Sequence, residues 1–359
     1  RQMCIRDRPI TIRTLLTHSS GLPRESNHPY WTGPDFPFPE IDSLKSELKN
    51  QETLYPGSTY FQYSNLGMSL LGEVVEKLSG MPYEDFLRKE ILYPLNMQDT
   101  RTFLPEDQYG TSLAIGYSGL DREGSREKVN FFQARGIMAA AGFSSNVTDL
   151  AKFASWQFRL LDTTQAEILK PSTLKQMYNV HWIDPDGEIS WGLGFGIRLT
   201  PDGEKSLGHS GGCPGYNTFF NMVPGKKRAY AVFTNGLNTN RVGYVRGMHS
   251  LLEKYKKEAK KSVENDSVPD LEEYVGYYHM LPWQPEVYLA SWHNNLVIFS
   301  LPNENPAESM VKLKYVEKDL FRRVRKDEKL GETYEFIRGE DGSIEKFKRH
   351  NNYFTRINK

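Results

Sequence analysis

Cysteine is nearly absent. Two thiols in 359 residues cannot build a disulfide scaffold, and they fall short of the cysteine-based zinc patterns. Net charge is absent too. The 45 basic and 45 acidic side chains cancel, so nothing invites nucleic acid or an anionic membrane, and no nucleic-acid partner is expected. Long apolar runs are missing. The longest nearly apolar stretch, Gly136 to Phe143, is far shorter than the roughly 20 residues that cross a bilayer, so no transmembrane segment is expected in this chain. His181, His249, His279, His293 and His350 show no metal-ligand spacing, so neither a metal nor another cofactor is expected. No low-complexity tract and no long-period repeat occurs. What is present argues for folded structure. Aromatics reach 13%, with 20 Tyr and 19 Phe, which is not the composition of a disordered chain. The length suggests about two domains and is ample for a full core.

The opening, Arg1 to Arg8, carries neither an initiator Met nor a charged-then-apolar leader. The chain therefore reads as a fragment whose first eight residues are translated adapter or assembly debris. Cys4 would drop out with them and leave Cys213.

Leu66, Leu70, Leu71, Val74, Val75 and Leu78 form one helical stripe, and Gly80 is its natural stop. Pro82 opens a second helix with Phe86, Leu87, Ile91 and Leu92 inward, ended by Pro94. A third begins at Asn146, which can cap, and carries Leu150, Phe153, Ala154, Phe158 and Leu161 on its apolar face. From Gly192 the texture changes. Gly192 to Leu199, Tyr216 to Val223 and Ala229 to Thr234 read as strands, with a turn at Pro224–Lys227. A helix is expected from about Arg241, passing into a charged linker over 253–267. Beyond it come short strand-like runs: Tyr274–Tyr278, Val287–Ser291, Leu296–Leu301, Met310–Tyr315, Leu320–Val324, Tyr334–Arg338 and Ile344–Phe347. They predict a small β-sandwich or barrel over 268–359, with Trp283, Tyr288 and Trp292 in its core. The first domain is expected to span 1–252 and to mix helices with an antiparallel sheet.

Two short patches could carry chemistry. One is Tyr63-Ser64-Asn65, led in by Tyr55-Pro56-Gly57 and followed by an amphipathic helix. The other is Gly208-His209-Ser210-Gly211-Gly212-Cys213, placed between two strands. Either alone is weak: the first could simply cap a helix and the second could be a glycine turn. Together, and in this order, they resemble the serine β-lactamase and penicillin-binding protein superfamily, in its class C and esterase-like branch. Ile12-Arg13-Thr14-Leu15-Leu16-Thr17-His18-Ser19-Ser20-Gly21-Leu22, Ala141-Gly142-Phe143-Ser144-Ser145, Gly192-Leu193-Gly194-Phe195-Gly196 and Phe233-Thr234-Asn235 add to the likeness, which covers about residues 10–250.

The resemblance implies an α/β (α+β) fold of the β-lactamase/transpeptidase type and acyl transfer through a serine in Ser-x-x-Lys. It implies a small-molecule or peptide substrate: an ester, a peptide bearing a D-residue, or a β-lactam. Tyr63 and His209 would be the catalytic residues on this chain. Asn65, Ser210, Gly211 and Gly212 would hold substrate, with the Gly212 N–H as one oxyanion-hole donor. His209 stands where many relatives carry Lys, which tilts the expectation towards ester or peptide substrates. His18 is expected to be structural, and Cys213 a small packing residue. Relatives of this kind suggest the cell envelope, the periplasm or secretion.

Ser-x-x-Lys occurs five times, as Ser46/Lys49, Ser125/Lys128, Ser172/Lys175, Ser309/Lys312 and Ser343/Lys346. None precedes the Ile-Thr-Ile-Arg segment, where the resemblance places the nucleophile. All five read as decoys, so the catalytic pair is expected to be missing and the fragment inactive. The alternative is a binding or sensor protein on the same scaffold. A third reading, a reactive Cys213, lacks a base nearby in sequence.

Overall fold

A computed structural model describes residues 8–200, 202–259, 268 and 270–357. Of the opening stretch read as extraneous, 1–7 lie outside the described residues, as do positions 260–267 of the expected linker. The chain forms two compact units, Arg1–Arg241 and Val242–Lys359.

The first unit holds seven helices and a sheet among its described residues. The helices are α1 (Ile12–Leu16), α2 (Ile41–Glu47), α3 (Asn65–Ser79), α4 (Tyr83–Leu87), α5 (Met138–Ala141), α6 (Val147–Leu161) and α7 (Pro171–Met177). Ser64 caps α3 by accepting the Gly67 N–H, and Gly80 ends it in the left-handed conformation, φ 70°. Leu66 is fully buried, whereas Leu78 is 80% exposed. The predicted apolar stripe therefore fades in the last turn, where α3 has left its packing neighbours. Asn146 caps α6 by accepting the Asp149 N–H. The buried residues of α6 are Asp149, Ala154, Trp156, Gln157 and Leu160. Of the predicted apolar face, Ala154 is buried in the core over the sheet and Phe153, Phe158 and Leu161 pack half-buried against it; Trp156 and Leu160 widen that face, packing with Leu174, Leu207 and Met222.

Six strands form that sheet in sequential antiparallel order: β1 (Trp182–Ile183), β2 (Ser190–Trp191), β3 (Gly196–Leu199), β4 (Lys205–Cys213), β5 (Tyr216–Val223) and β6 (Arg228–Thr234). Here two expectations are corrected. Gly192 to Phe195 is a turn, and only Gly196–Leu199 of that predicted strand is extended. The His209 patch is not a loop between strands; it is the second half of β4. Its glycines hide it from strand rules, yet one of them is what allows the pairing. A Cβ on Gly208 would lie 2.2 Å from the Phe220 carbonyl oxygen.

In the second unit α8 (Arg241–Ala259) runs on as helix through the first seven positions of the expected linker. Its Glu258 accepts from Trp292 Nε1 at 2.9 Å and pairs with Lys312 at 2.7 Å. Eight strands follow, with a short helix, α9 (Pro306–Ser309), between the third and fourth. They are β7 (Gly276–Met280), β8 (Gln284–Trp292), β9 (Asn295–Ser300), β10 (Val311–Glu317), β11 (Leu320–Val324), β12 (Leu330–Arg338), β13 (Ile344–Arg349) and β14 (Asn352–Ile357). Each pairs with the next, and β14 returns to β7 to close a barrel, which leaves no open edge. Tyr278, Leu289, Leu313, Phe321, Phe347 and Phe354 fill its interior. The closing strand β14 was not predicted, because its alternation is masked by Asn352, Thr355 and Arg356. Trp283, expected in the core, is 82% exposed. It sits in the β7–β8 turn, where its N–H bonds the Met280 carbonyl.

Candidate active site

The segment Phe61–Ser64 leads into the N-terminus of α3 and passes the second half of β4. The Tyr63 hydroxyl lies 3.4 Å from His209 Nε2. His209 Nδ1 donates to the Ser210 carbonyl at 2.6 Å. That bond fixes the tautomer, because a carbonyl only accepts. Nε2 of the neutral ring is then the acceptor, and the phenol is the donor. Burial holds His209 below the usual histidine range, against the opposing Ser210 bond. Burial likewise raises Tyr63, opposed by Arg24, whose guanidinium carbon lies 5.1 Å from the ring centre. Near neutral pH the pair is a neutral phenol facing a neutral imidazole.

His18 supports this pair from beneath. It is 2% exposed, sits at φ 54°, and its Nδ1 accepts the Ser64 N–H at 3.1 Å. The Gln62 N–H bonds the His18 carbonyl at 2.7 Å. Its ring lies 4.2 Å from that of Tyr63, centre to centre. Burial, with smaller contributions from His209 and Arg24, lowers its pKa to about 3. Buried, uncharged and accepting from a loop amide, His18 has the structural part that its sequence context predicts.

Asn65 occupies the first position of α3 and is 4% exposed. Its Nδ2 donates to Glu25 Oε1 at 2.6 Å, and Trp31 Nε1 donates to the same oxygen at 2.9 Å. Glu25 only accepts while ionised, so Asn65 must turn Nδ2 towards it and Oδ1 away. Burial raises the Glu25 carboxyl, and its Oε2 is buried without a hydrogen-bond partner among the described residues.

On β4 the register with β5 runs unbroken from Leu207↔Met222 to Cys213↔Tyr216. Alternation therefore places His209, Gly211 and Cys213 on one face, and Ser210 and Gly212 on the other. β3 pairs with β4 only over Lys205–Gly208. From His209 onward that side of β4 is an unpaired edge among the described residues, and such an edge can take an extended ligand backbone. Cys213 donates to the Ala141 carbonyl at 3.2 Å, and burial pushes its thiol up to about 12. A thiol so placed is unreactive.

The structure thus brings Tyr63 and His209 together and sets Asn65 at the adjoining helix start. Ser210 contributes its carbonyl to His209, Gly211 lies beside Thr218 and Gly212 is exposed. Sequence reasoning missed Arg24, Glu25 and Trp191. Trp191 sits edge-on to His209, 5.7 Å between ring centres. A charged pair after Pro23 and a tryptophan before Gly192 carry no spacing signal of their own. The serines of the five Ser-x-x-Lys pairs, Ser46, Ser125, Ser172, Ser309 and Ser343, are all exposed. Two of them, Ser309 and Ser343, belong to the second unit.

Comparison with known proteins places the chain in a family. The sequence model of the family described as Beta-lactamase matches residues 5–252, and the chain belongs to that family. It is 25% identical over 226 residues to penicillin-binding protein 4* of Bacillus subtilis, covering 58% of this chain and 48% of that protein. It is also 25% identical over 237 residues to the D-alanyl-D-alanine-carboxypeptidase/endopeptidase AmpH of Escherichia coli, covering 63% and 58%. The chain spans about half the length of the curated relatives it matches. Among solved structures, the octameric penicillin-binding protein homologue from Pyrococcus abyssi superposes with a TM-score of 0.59 at 23% identity, over 97% of this chain and 78% of that one.

Proposed function

We propose that this member of the Beta-lactamase family serves a serine hydrolase reaction by acyl-enzyme chemistry, with Tyr63 and His209 handling the proton. The observation that carries the reading is the Tyr63 hydroxyl 3.4 Å from the unprotonated His209 Nε2. As a serine Oγ attacks the substrate carbonyl, its proton passes to the Tyr63 oxygen while the Tyr63 proton passes to Nε2. The tetrahedral oxyanion takes the Gly212 N–H and the nucleophile's own N–H. Collapse expels the alcohol or amine, which receives the proton back along the same route. Water repeats the cycle to release the acyl group. Asn65 Oδ1, turned away from Glu25, accepts an N–H from substrate or from the nucleophile's lysine. Substrate backbone lies along the β4 edge, passing Ser210, Gly211 and Gly212.

Substrates are esters, D-residue peptides or β-lactams, and His209 favours the first two. An imidazole kept neutral is no fixed cation for a substrate carboxylate. The AmpH likeness supports a D-peptide substrate. None of the five Ser-x-x-Lys serines hydrogen-bonds Tyr63 or His209 among the described residues, which supports a further point: the nucleophile and its lysine are not among these 359 residues, and this polypeptide alone turns over nothing. The same lack of a serine beside the pair also favours a second reading, a binding or sensor protein with no competent nucleophile.

A fluorophosphonate probe and a D-alanyl ester separate the two readings. The 359-residue protein should be neither labelled nor active. The whole polypeptide that the gene encodes should be labelled on a serine of Ser-x-x-Lys and should hydrolyse the ester. Labelling of none of its serines would leave the binding reading.

A further inference from the structure

The hairpin β1–β2 grips the Tyr63 segment from outside. Its turn is Asp184-Pro185-Asp186-Gly187, closed by Gly187 N–H to the Asp184 carbonyl at 2.8 Å, with Gly187 at φ 76°. Proline second and a left-handed glycine last make a turn with few alternative conformations. The Asp184 N–H is also fixed, bonding the Ile189 carbonyl at 3.0 Å. With both backbone groups committed, the Asp184 carboxylate is held in place, and its Oδ1 accepts the Phe61 N–H at 2.6 Å. That is a charge-assisted bond to a loop amide two residues before Tyr63. At the hairpin's base, Trp191 packs against Phe61 at 5.2 Å and edge-on to His209 and His18, at 5.7 and 5.0 Å between ring centres. One short hairpin therefore touches both halves of the pair: the Tyr63 segment through Asp184, and His209 through Trp191.

We propose that Asp184 is a positioning residue for the Tyr63–His209 pair, acting through the backbone of Phe61. It touches no reacting atom. It sets the depth at which Tyr63 enters the site, while Trp191 sets the wall against which His209 rests. The inference rests on the assignment of Tyr63 and His209 to proton transfer. A Tyr63→Phe enzyme with full activity would remove that assignment and leave the clamp itself untouched.

The test needs no turnover and uses the 359-residue protein. Hydrogen exchange at the Phe61 amide and the imidazole ¹⁵N shifts of His209 are measured in Asp184→Ala, Asp184→Asn and, as a control at the exposed tip, Asp186→Ala. In Asp184→Ala the Phe61 amide should exchange at least about tenfold faster. The His209 Nε2 signal should also move as the Tyr63 hydroxyl swings away. Asp184→Asn keeps an oxygen acceptor without the charge, so it should fall between Asp184→Ala and the parent, and Asp186→Ala should leave His209 unmoved. His209 signals in Asp184→Ala that superimpose on those of the parent would overturn the proposal, whatever Phe61 does. Should the alanine variant fail to fold, the asparagine variant decides: unchanged Phe61 exchange and unchanged His209 signals there overturn it as well.

Discussion

His18→Asn is a substitution that the backbone at position 18 should accept. Residue 18 sits at φ 54°, a conformation that Asn adopts more readily than most residues, and an Asn Oδ1 can accept the Ser64 N–H as the imidazole Nδ1 does. What it removes is the ring and its titration. The folded protein holds His18 at about 3, against 6.5 for a free histidine. Between those values the unfolded chain binds a proton at this residue and the folded chain does not. Stability from this group is therefore complete above about pH 6.5 and drains away as pH falls towards 3. At pH 4 the loss is on the order of 3 kcal/mol, from about 1.4 kcal/mol per pH unit. At pH 7 the variant should be the weaker protein by about 1–3 kcal/mol, because the contacts of the ring with Tyr63 and Trp191 are gone. At pH 4 that gap should close or reverse. Urea unfolding followed by tryptophan fluorescence, at half-unit steps from pH 7 to pH 4, measures both curves. Other acid-titrating groups are common to both proteins and cancel in the difference. A parent-minus-variant gap that stays constant with pH would refute the neutral, buried His18 on which the site's geometry rests.

Three further outcomes follow from the same structure. Gly21→Ala should destabilise the first unit by about 3 kcal/mol or more in thermal unfolding, since Gly21 sits at φ 77° and a Cβ there would lie 1.9 Å from the Tyr55 carbonyl oxygen. Iodoacetamide should alkylate Cys213 in the native protein roughly a thousandfold more slowly than in urea, because a thiol raised from 9.0 to about 12 loses its thiolate at pH 8; equal rates would return Cys213 to the list of reactive groups. In the whole gene product, His209→Ala should lower ester turnover by about 10²–10⁴. The parent's rate should also fall with acid only below the ordinary histidine range, because burial lowers the His209 pKa; a flat profile with near-normal turnover in the variant would remove His209 from proton transfer.

How far the sequence could be read depended on where each signal was local. The stop of α3 and the cap of α6 were legible, because Gly80 and Asn146 act within three or four residues of themselves; the N-cap of α3 was not, since the structure gives it to Ser64, between the two residues the sequence offered, Tyr63 and Asn65. Legible too were β5 and β11, whose bounds coincide with the predicted runs. β4 was not, because Gly208, Gly211 and Gly212 carry no strand propensity, and Gly208 and Gly211 are there for the close approach of β5. β14 was not, because barrel closure is a long-range pairing with β7 that polar side chains on the outer face conceal. In the site, Tyr63 and His209 could be named from short motifs. Glu25 and Asp184 could not: each acts on a residue 40 or more positions away, and an acidic residue in a loop has no pattern until the fold has closed.

The contacts that hold Tyr63 bear on what this polypeptide can bind before any chemistry. Phe61 is bonded by Asp184, Ser64 by His18, and Asn65 by both the Arg24 carbonyl and Glu25. None of these partners is a reacting group, and each fixes a different atom of one five-residue segment. Asp184 holds the end of the segment before Tyr63, and His18, the Arg24 carbonyl and Glu25 hold the end after it, so the phenol is set from both sides before substrate arrives. A site held this way before substrate arrives pays little to organise itself on binding. The 359-residue protein should therefore bind a D-alanyl amide along the β4 edge with no turnover. A tyrosine difference spectrum that moves on titration, and is lost in Tyr63→Phe, would register that binding. An unmoved spectrum, with the ligand also undetected by calorimetry, would mean that the β4 edge alone does not make the substrate site.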